Sequence, residues 1–586
     1  MTSQWILLDL VAQIVAAGAW FGAAVRRGPT RAIVALALAA TAARIGTVAL
    51  LAGSGWWFVQ EKVTLTLPLM LAGTAVALVG RAPVWQFTAG YAALAGPLVT
   101  LLHGYPSTWA VGLITVALVG GAATLTASVL GLGRLRAPAV ASATALLIGS
   151  VLALVPAPEP SHVDGVSVVS LRGPSTGGVV RRFTLDARQA TVTLASGATV
   201  RAWTFNGQVP GPPITAEVGD LVEVTLHNTD IAGGVTLHWH GYDVPAGEDG
   251  VPGLTQDAVA PGQSFVYRFR ADRAGSYWYH THEASSEGVR MGLYGTLVVT
   301  ASPPAGVDLT VPVHTFNGST VVGPAGESVV VPGAPVRLRL VNTDSVPRVM
   351  GVVGSPVRVV AVDGTDLNAP APIERTGLRI AAGGRYDVAF TMPDHPVALR
   401  AAGTGSAVSL VPSTGSPAAD GDVAAWPVLD LLRYGGPAAT PFGAGSRFDR
   451  DFTLVLDRGL ALLGGKPSYA YTINGAAFPD VATEVVREGD LVRFTIVNRS
   501  LDVHPWHLHG HRVLVLSRGG EAPTGSPLWM DSFDVLPGQV WRVAFRADNP
   551  GIWMNHCHNL AHADQGMAVH LAYEGVVSPY HGGHGG

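Results

Sequence analysis

The first 155 residues of the chain consist mainly of long apolar runs, whereas later residues alternate between apolar and polar positions. The runs cover about 5–25, 32–52, 63–80, 84–102, 108–132 and 139–155. A helix needs about 20 mostly apolar residues to cross the hydrocarbon core of a bilayer. The pattern therefore predicts an all-α transmembrane bundle of about six helices over 1–155, with five or seven spans as alternatives.

Positive charges between the runs predict how the bundle is oriented. Those after odd-numbered runs are Arg26, Arg27, Arg31, Arg81, Arg134 and Arg136, and the other loops carry almost none apart from Lys62. Short loops rich in Lys and Arg stay in the cytoplasm. We therefore expect a multi-pass protein of the cell membrane, in contact with the lipid bilayer, with everything after about 156 on the extracytoplasmic side.

Three features of the apolar region leave its role open. Arg44 lies inside the second run, where a charge is either functional or paired for structure. The Arg26-Arg27 pair could alternatively belong to a twin-arginine export signal. His103 is the only histidine in 1–160, which argues against a haem held by two histidines.

From about residue 170, short alternating runs separated by Gly and Pro predict β-strands, and two segments occur three times. EVGDLVEVTLHNT (217–229) recurs as PGAPVRLRLVNTD (332–344) and REGDLVRFTIVNR (487–499). APGQSFVYRFRADRAG (260–275) recurs as AAGGRYDVAFTMP (381–393) and LPGQVWRVAFRADNPG (536–551). We predict an all-β region of three β-sandwich domains at 170–302, 303–412 and 445–575, with linkers at 156–169 and 413–444 and a His/Gly tail at 576–586.

The charge balance and the cysteine count narrow the function. The chain has 37 Lys and Arg against 41 Asp and Glu, a net charge of −4, and no acidic or basic tail, so we expect no nucleic-acid partner. Its single cysteine excludes an internal disulfide.

That cysteine, Cys557, lies in HCHNLAHADQGM (556–567), which also contains His562 and Met567. A thiolate, two imidazoles and a weak axial thioether form the site that binds blue (type 1) copper for electron transfer. We expect His504 to supply the second imidazole.

Four His-x-His pairs accompany this segment. A strand places residues i and i+2 on one face, so each pair directs two imidazoles the same way. HWHG (238–241) corresponds to HLHG (507–510) in the repeat, and YHTHE to NHCHN. Eight imidazoles at an interface between the first and third domains predict a cluster of three coppers. The pairs are His238/His240, His280/His282, His507/His509 and His556/His558.

The repeat also predicts where copper is absent. The first-domain counterparts of His504, Cys557, His562 and Met567 are Val235, Thr281, Ser286 and Met291. We interpret them as a decayed second site that binds no copper. The middle domain has no histidine pair and is expected to be a spacer without copper.

These motifs resemble the multicopper oxidases, a family that includes laccases and copper efflux oxidases. The resemblance covers about 180–575 and rests on HWHG, YHTH, HPWHLHGH (504–511) and HCHNLAHADQGM. It implies three cupredoxin-like domains and four copper ions, one of type 1, one of type 2 and a type 3 pair. His504, Cys557, His562 and Met567 would bind type 1 copper, His238 and His507 type 2 copper, and His240, His280, His282, His509, His556 and His558 the type 3 pair.

The resemblance also implies roles for three acidic residues. Asp249 stands where the family has an acid near type 2 copper, and it would relay protons. Many bacterial members carry a glutamate at the position of Ala563, so Asp564 is the candidate substitute, or else a solvated turn residue. Asp531 would lie near type 1 copper and bind the substrate, or else be structural.

We therefore expect a laccase-like enzyme that oxidises phenols or aromatic amines and reduces O2 to water. Eight methionines without a cluster weaken, but leave open, a metallo-oxidase for Cu(I), Fe(II) or Mn(II). A copper-buffering or electron-transfer protein is a further alternative that the complete cluster argues against. Electron supply from a quinol through the bundle, weak copper capture by the histidine tail, and simple anchoring also stay open.

Overall fold

Three successive pairs of β-sheets follow an N-terminal helical bundle in the computed structural model. The structure describes residues 2–26, 30–80, 82–131, 136–153, 165–194, 197–316, 318–323, 327–405, 407–413 and 421–580. The loop arginines 27, 81 and 134, most of the 156–169 linker and the tail histidines 581 and 584 lie outside these ranges.

Among the described residues, six helices occupy the six apolar runs. They are α1 (Thr2–Val25), α2 (Arg31–Ala52), α3 (Leu67–Val79), α4 (Pro83–Leu102), α5 (Trp109–Val129) and α6 (Arg136–Ala153). Four helical segments are long and apolar enough to cross a membrane, namely Thr2–Val25, Arg31–Ala52, Lys62–Val79 and Trp109–Val129.

Local sequence explains where several of these helices begin. The hydroxyls of Thr30 and Thr108 cap α2 and α5 by accepting hydrogen bonds from Ile33 N and Val111 N. Pro83 opens α4, at a position where its missing N–H costs nothing. Small residues allow close packing, since a Cβ on Gly73 would come within 2.9 Å of the Ala92 side chain.

The first β unit consists of two four-stranded sheets, with orders β3-β2-β5-β7 and β4-β9-β8-β6. Its core contains Leu185, Phe205, Val224 and Leu297. A short strand, β1 (Val166–Ser167), precedes it. The strands of the first β unit are β2 (Val180–Thr193), β3 (Thr199–Phe205), β4 (Gly211–Glu217), β5 (Leu221–Asn228), β6 (His238–His240), β7 (Ser264–Arg270), β8 (Gly275–His280) and β9 (Tyr294–Thr300). The helix α7 (Ser285–Met291) lies between β8 and β9.

The second β unit has a six-stranded sheet, β11-β10-β13-β18-β15-β16, and a five-stranded sheet, β12-β20-β19-β14-β17. Its strands are β10 (Val307–Phe316), β11 (Ser319–Val322), β12 (Glu327–Val329), β13 (Pro335–Asn342), β14 (Arg348–Val353), β15 (Arg358–Val362), β16 (Thr365–Asp366), β17 (Leu378–Ile380), β18 (Arg385–Thr391), β19 (Val397–Ala401) and β20 (Ala407–Val411).

The third β unit repeats that arrangement, with orders β22-β21-β24-β29-β26-β27 and β23-β31-β30-β25-β28. Its strands are β21 (Arg450–Leu463), β22 (Lys466–Ile473), β23 (Glu484–Val486), β24 (Leu491–Asn498), β25 (His504–Leu508), β26 (Val513–Arg518), β27 (Trp529–Met530), β28 (Ser532–Val535), β29 (Val540–Arg546), β30 (Ile552–Cys557) and β31 (Ala568–Tyr573), with α8 (Leu560–Asp564) before β31. A final strand, β32 (Val576–Val577), pairs with β1.

The repeated segments form the same strand pair in each unit. β5, β13 and β24 pair antiparallel with β7, β18 and β29. The asparagine that ends each first segment is fully buried, and its side-chain amide donates to backbone carbonyls of the following loop or strand. The three asparagines, Asn228, Asn342 and Asn498, therefore satisfy carbonyl groups that would otherwise be buried without partners.

The described part of the expected linker at 413–444 packs against the β units. Leu432 is buried, and the Tyr434 hydroxyl accepts from Val359 N and donates to Ala371 O. Residues 421–444 therefore contribute to the core between the second and third units.

Candidate metal centre

Backbone pairing brings the four histidine pairs together. In the first unit His238 of β6 lies opposite His280 of β8, and in the third unit His507 of β25 lies opposite His556 of β30. The second member of each pair lies two residues further along, on the same face.

Histidine rings of the first and third units stack on one another. The His238 ring stacks on that of His509 with centroids 3.7 Å apart, and the His240 ring stacks on that of His507 at 3.8 Å. All eight imidazoles are buried. The expected interface cluster of imidazoles is thus present in the structure.

The ring nitrogens fall into groups whose members lie within 4.8 Å of one another. One group joins His238 and His507 with His240. The other two are separate triads, His240, His280 and His558 on one side and His282, His509 and His556 on the other. The sequence does not reveal this division, because each triad takes residues from both units.

Cys557 belongs to a second site on the opposite side of its strand. Its Sγ lies 3.6 Å from Nδ1 of His504 and 3.6 Å from Nδ1 of His562, and these two nitrogens are 3.1 Å apart. A thiolate and two imidazoles in such a triangle form a trigonal copper site. Met567 is fully buried beside them, and its carbonyl accepts from Cys557 N.

Hydrogen bonds orient the imidazoles of the cluster. Asp249 is buried, and its two carboxylate oxygens lie 3.1 Å from Nδ1 of His238 and 2.9 Å from Nδ1 of His509. The Ser532 hydroxyl lies 2.9 Å from Nε2 of His240. Each contact holds one ring nitrogen and leaves the other directed into the cluster.

Several of those other nitrogens have no hydrogen-bond partner among the described residues. They are Nε2 of His238, Nδ1 of His240, Nε2 of His280, Nε2 of His507 and both ring nitrogens of His558. A buried polar atom without a partner is costly. Coordination of a metal by these nitrogens would remove that cost, so the residues present fit a copper cluster.

Burial also keeps most of the imidazoles neutral, as a metal ligand must be. It lowers the pKa of His240, His280, His282, His504, His507, His509 and His558 well below 6.5. Burial lowers the pKa of His562 to about 4 and raises the pKa of the Cys557 thiol.

Asp531 is not where the resemblance led us to expect it. The residue is 1 % exposed, and Arg385 donates to its two carboxylate oxygens at 2.5 and 2.7 Å. Its Oδ1 lies 3.4 Å from Nε2 of His240, so it borders the histidine cluster, on a face closed to an external substrate. The sequence signal misled because it does not reveal that Arg385, from the second unit, covers this residue.

The second β unit is more than the expected spacer, because three of its residues contact the cluster or the segment that borders it. Arg385 is fully buried, and Asp363 accepts from its backbone N and from the backbone N–H groups of Asp531 and Ser532. A Cβ on Gly383 would lie 2.6 Å from the His240 ring. Sequence reasoning missed all three, since none belongs to a histidine motif.

A cavity of about 700 Å³ reaches the cluster at His282 and is lined by Glu283 and Asp564. Loss of solvation raises the pKa of Asp564 to about 6, although the residue as a whole is exposed, and burial raises the pKa of Glu283. Asp564 thus lies near the cluster, and Glu283 is a second acid there that the sequence analysis did not single out.

Comparisons with known proteins agree with this geometry. Sequence models of the multicopper oxidase family match residues 186–304 and 457–575, the two segments that contain all twelve candidate ligands. Over these two segments the chain is similar to the multicopper oxidases. This similarity, together with the laccase relatives, supports an oxidoreductase that uses O2 as electron acceptor.

Individual relatives cover most of the β region of this oxidase. It is 28 % identical to Laccase-1 of Botryotinia fuckeliana over 65 % of this chain and 80 % of that protein. It is also 28 % identical to the multicopper oxidase MmcO of Mycobacterium tuberculosis, over 67 % of this chain and 86 % of the relative. A solved multicopper oxidase from Pseudomonas thermotolerans superposes with a TM-score of 0.54 at 26 % identity, covering 68 % of this chain and all of that one.

The helical bundle of the oxidase is joined to the third unit by buried charges. Arg499 donates to both carboxylate oxygens of Glu61 at 2.8 and 3.0 Å and to Trp57 O at 2.6 Å. Lys62 lies between Glu61 and Asp9, at 3.1 and 3.2 Å. Lys62 is thus buried, whereas the sequence analysis had placed it in a loop.

Arg44 is paired inside the bundle. Its Nε lies 3.6 Å from Asp9, and its guanidinium donates to the backbone and hydroxyl oxygens of Thr66. Asp9 and Glu61 are the partners that the sequence analysis missed. The apolar runs showed no signal for this pairing, because the partners lie on different helices.

Proposed function

We propose that this oxidase is a laccase-like enzyme anchored in the cell membrane, which oxidises phenols or aromatic amines and reduces O2 to water. One observation carries the proposal. Cys557 faces His504 and His562, while its chain neighbours His556 and His558 face the eight-histidine cluster. The two sites are thereby connected by the peptide bonds on either side of Cys557, one to His556 and one to His558.

Four copper ions fit the described ligand groups. We assign type 1 copper to His504, Cys557, His562 and Met567, type 2 copper to His238 and His507, and the type 3 pair to two triads, His240 with His280 and His558, and His282 with His509 and His556. Bound there, copper would accept single electrons at the thiolate site and supply four to O2 at the cluster.

We assign proton delivery to acidic residues of this chain. Asp249 contacts one type 2 and one type 3 ligand and would orient both while passing protons inward. Asp564, with Glu283, lines the cavity beside His282 and would supply protons from solvent. In an Asp564→Asn variant, we expect turnover to fall equally with every reductant, while reduction of type 1 copper keeps its rate.

The bundle supports membrane anchoring. Four segments can span a bilayer, and the third β unit docks on the bundle end that holds the N-terminus, the α2–α3 loop and the α4–α5 loop. We propose that this end of the bundle is extracytoplasmic. We also propose that the β region divides into domains at 170–302, 303–412 and 445–575. Alkaline extraction of membranes would test whether the protein is anchored in the bilayer. Protease access in intact spheroplasts would test whether the β units lie on the extracytoplasmic side.

The experiment that tests the activity is oxygen uptake by the copper-loaded protein. A dimethoxyphenol without added copper is compared with Cu(I) held in a chelator. We expect fast uptake with the phenol and slow uptake with Cu(I). The reverse result would identify a metallo-oxidase, and uptake with neither would contradict an oxidase of either kind.

A further inference from the structure

A cavity of about 280 Å³ lies where the helical bundle meets the third β unit. Its apolar wall is formed by Ile6 and Leu10 of α1, Phe58, and Leu101 of α4. Its polar wall belongs mainly to the third unit and contains Asp457, Arg458, Tyr469, Ser500 and Asp502. The volume is close to the lower limit of small-molecule sites, about 300 Å³, and suits one aromatic ring.

Contacts between the helical bundle and the third β unit hold the walls of the cavity in place. Ile6, Leu10 and Phe58 pack in one apolar cluster with Val455 and Val497 of the third unit. The buried ion pair between Arg499 and Glu61 holds the same junction. The bundle is therefore part of the cavity wall and does more than tether the β units to it.

Two residues that line the cavity lead to the ligands proposed for type 1 copper. Ser500 lines the cavity, and its hydroxyl lies 2.7 Å from Nε2 of His504, whose Nδ1 faces Cys557. A second route starts at Asp502, which lines the cavity and accepts a hydrogen bond from the Tyr471 hydroxyl at 3.2 Å, and the Tyr471 ring stacks on that of His562 at 3.9 Å. An electron donor in the cavity would thus be separated by one residue, Ser500, from a proposed copper ligand.

Asp457 gives the cavity a proton acceptor. The residue is 6 % exposed, and its Oδ2 has no hydrogen-bond partner among the described residues, although Arg499 Nε lies 3.1 Å away. Burial raises the pKa of this carboxyl to about 6. It can therefore take a proton from a phenolic hydroxyl and release it again near neutral pH.

Exposed tryptophans indicate the depth of the cavity in a membrane. Trp56, between α2 and α3, is 50 % exposed, and Trp109, which opens α5, is 88 % exposed. Both lie at the bundle end that carries the cavity. Tryptophan is enriched at the membrane–water interface, where the ring of a lipid-soluble phenol also meets water.

We propose that this cavity receives a lipid-soluble reductant, a hydroquinone with an apolar tail, which reaches the oxidase from the membrane. The inference rests on the proposed oxidase function and identifies the class of compound that supplies its electrons. Each hydroquinone releases two protons, the first to Asp457, and two electrons, one at a time, through Ser500 and His504, and leaves as the quinone. Two hydroquinones then reduce one O2 to two waters, and the four protons balance those that water formation consumes.

Binding is tested without turnover, on the full-length copper-loaded protein in lipid vesicles. The probe is an azido-benzoquinone with a decyl chain, activated by light. We expect label in the peptides that contain 56–62 and 499–502, reduced at least about tenfold in Leu10→Trp, which fills the cavity. Leu7→Trp is the matched control, since Leu7 lies on the same helix and is 56 % exposed. Label spread evenly over the helices, and equal in both variants, would overturn the proposal.

Kinetics separate a membrane source from a dissolved one. A decyl-substituted hydroquinone and the same ring with a methyl group are compared by oxygen uptake. We expect the tailed compound to have a KM at least about tenfold lower, and Asp457→Asn, which preserves shape, to raise that KM, while the surface variant Asp451→Asn does not. Equal KM values for both compounds, or an unchanged KM in Asp457→Asn, would overturn the proposal. Uptake with dimethoxyphenol reports separately on the oxidase function itself.

Discussion

Arg385 of the second β unit donates to both carboxylate oxygens of Asp531 in the third, at 2.5 and 2.7 Å, with both side chains almost fully buried. The pair borders His240 and His507 of the histidine cluster. It therefore couples the middle unit, which has no histidine motif, to the proposed site of O2 reduction.

Removing one partner of this pair should destabilise the protein strongly. Arg385→Met leaves the Asp531 carboxylate buried without its cation, which typically costs about 3–5 kcal/mol. Arg433→Met is the matched control, because Arg433 pairs with Glu521 and both side chains are about two-thirds exposed, and such pairs contribute at most about 1 kcal/mol. Denaturant unfolding of both variants measures the difference, and equal losses would contradict the role given to Arg385.

Replacing the single cysteine should remove one copper and leave the others. In Cys557→Ser we expect about three coppers per chain in place of four, loss of the visible absorption of the thiolate-bound copper, and no phenol oxidation. Metal analysis and absorption spectra check this. Two blue coppers in the parent protein would contradict the interpretation of Val235, Thr281 and Ser286 as a decayed site.

The buried acid beside the cluster should affect metal binding as well as turnover. Asp249→Asn alters the contacts that orient His238 and His509, and the loss of such supporting groups typically costs about 10–100-fold in metal affinity or activity. Asp257→Asn, in the same loop but exposed, should behave like the parent. Titration of the metal-free protein with copper, followed by oxygen uptake, tests both variants.

The raised pKa of Asp457 predicts a pH dependence specific to hydroquinones. Below about pH 6 the carboxyl is protonated and cannot accept a proton, so kcat/KM should rise as the pH increases through about 6 and then level off. The charged groups that act on it are Arg499, Glu61 and Lys62, and the backbone N of Arg458 donates to its Oδ1. Asp457→Asn should remove the rise, and a hydrophilic iron complex that releases no proton should show none. The same rise in Asp457→Asn would contradict the assignment.

The sequence predicts most of the geometry around Cys557 and the eight histidines, because the information for that geometry is local. Period-two spacing places His556 and His558 on one face and Cys557 on the other, and internal repetition relates HWHG to HLHG. The apolar runs likewise predict the six helices to within a few residues. Each of these features depends on neighbours in the chain and on side-chain periodicity.

What the sequence did not predict depends on contacts between distant residues. Arg499 and Glu61 are 438 positions apart, and Arg385 and Asp531 are 146 apart. No local pattern marks such pairs, since each residue alone is compatible with an exposed charge. Asp531 was misplaced for the same reason, because its motif does not reveal that a second unit covers it.

The central claim is that electrons from four phenol molecules converge on one O2 at the histidine cluster. The most direct test is to measure, in a closed oxygen electrode, how much dimethoxyphenol the copper-loaded protein oxidises per O2 consumed, with peroxide assayed in parallel. The account predicts four one-electron oxidations per O2 and no peroxide. Two oxidations per O2 with a matching amount of peroxide would contradict it, because the eight histidines would then not act as one four-electron site.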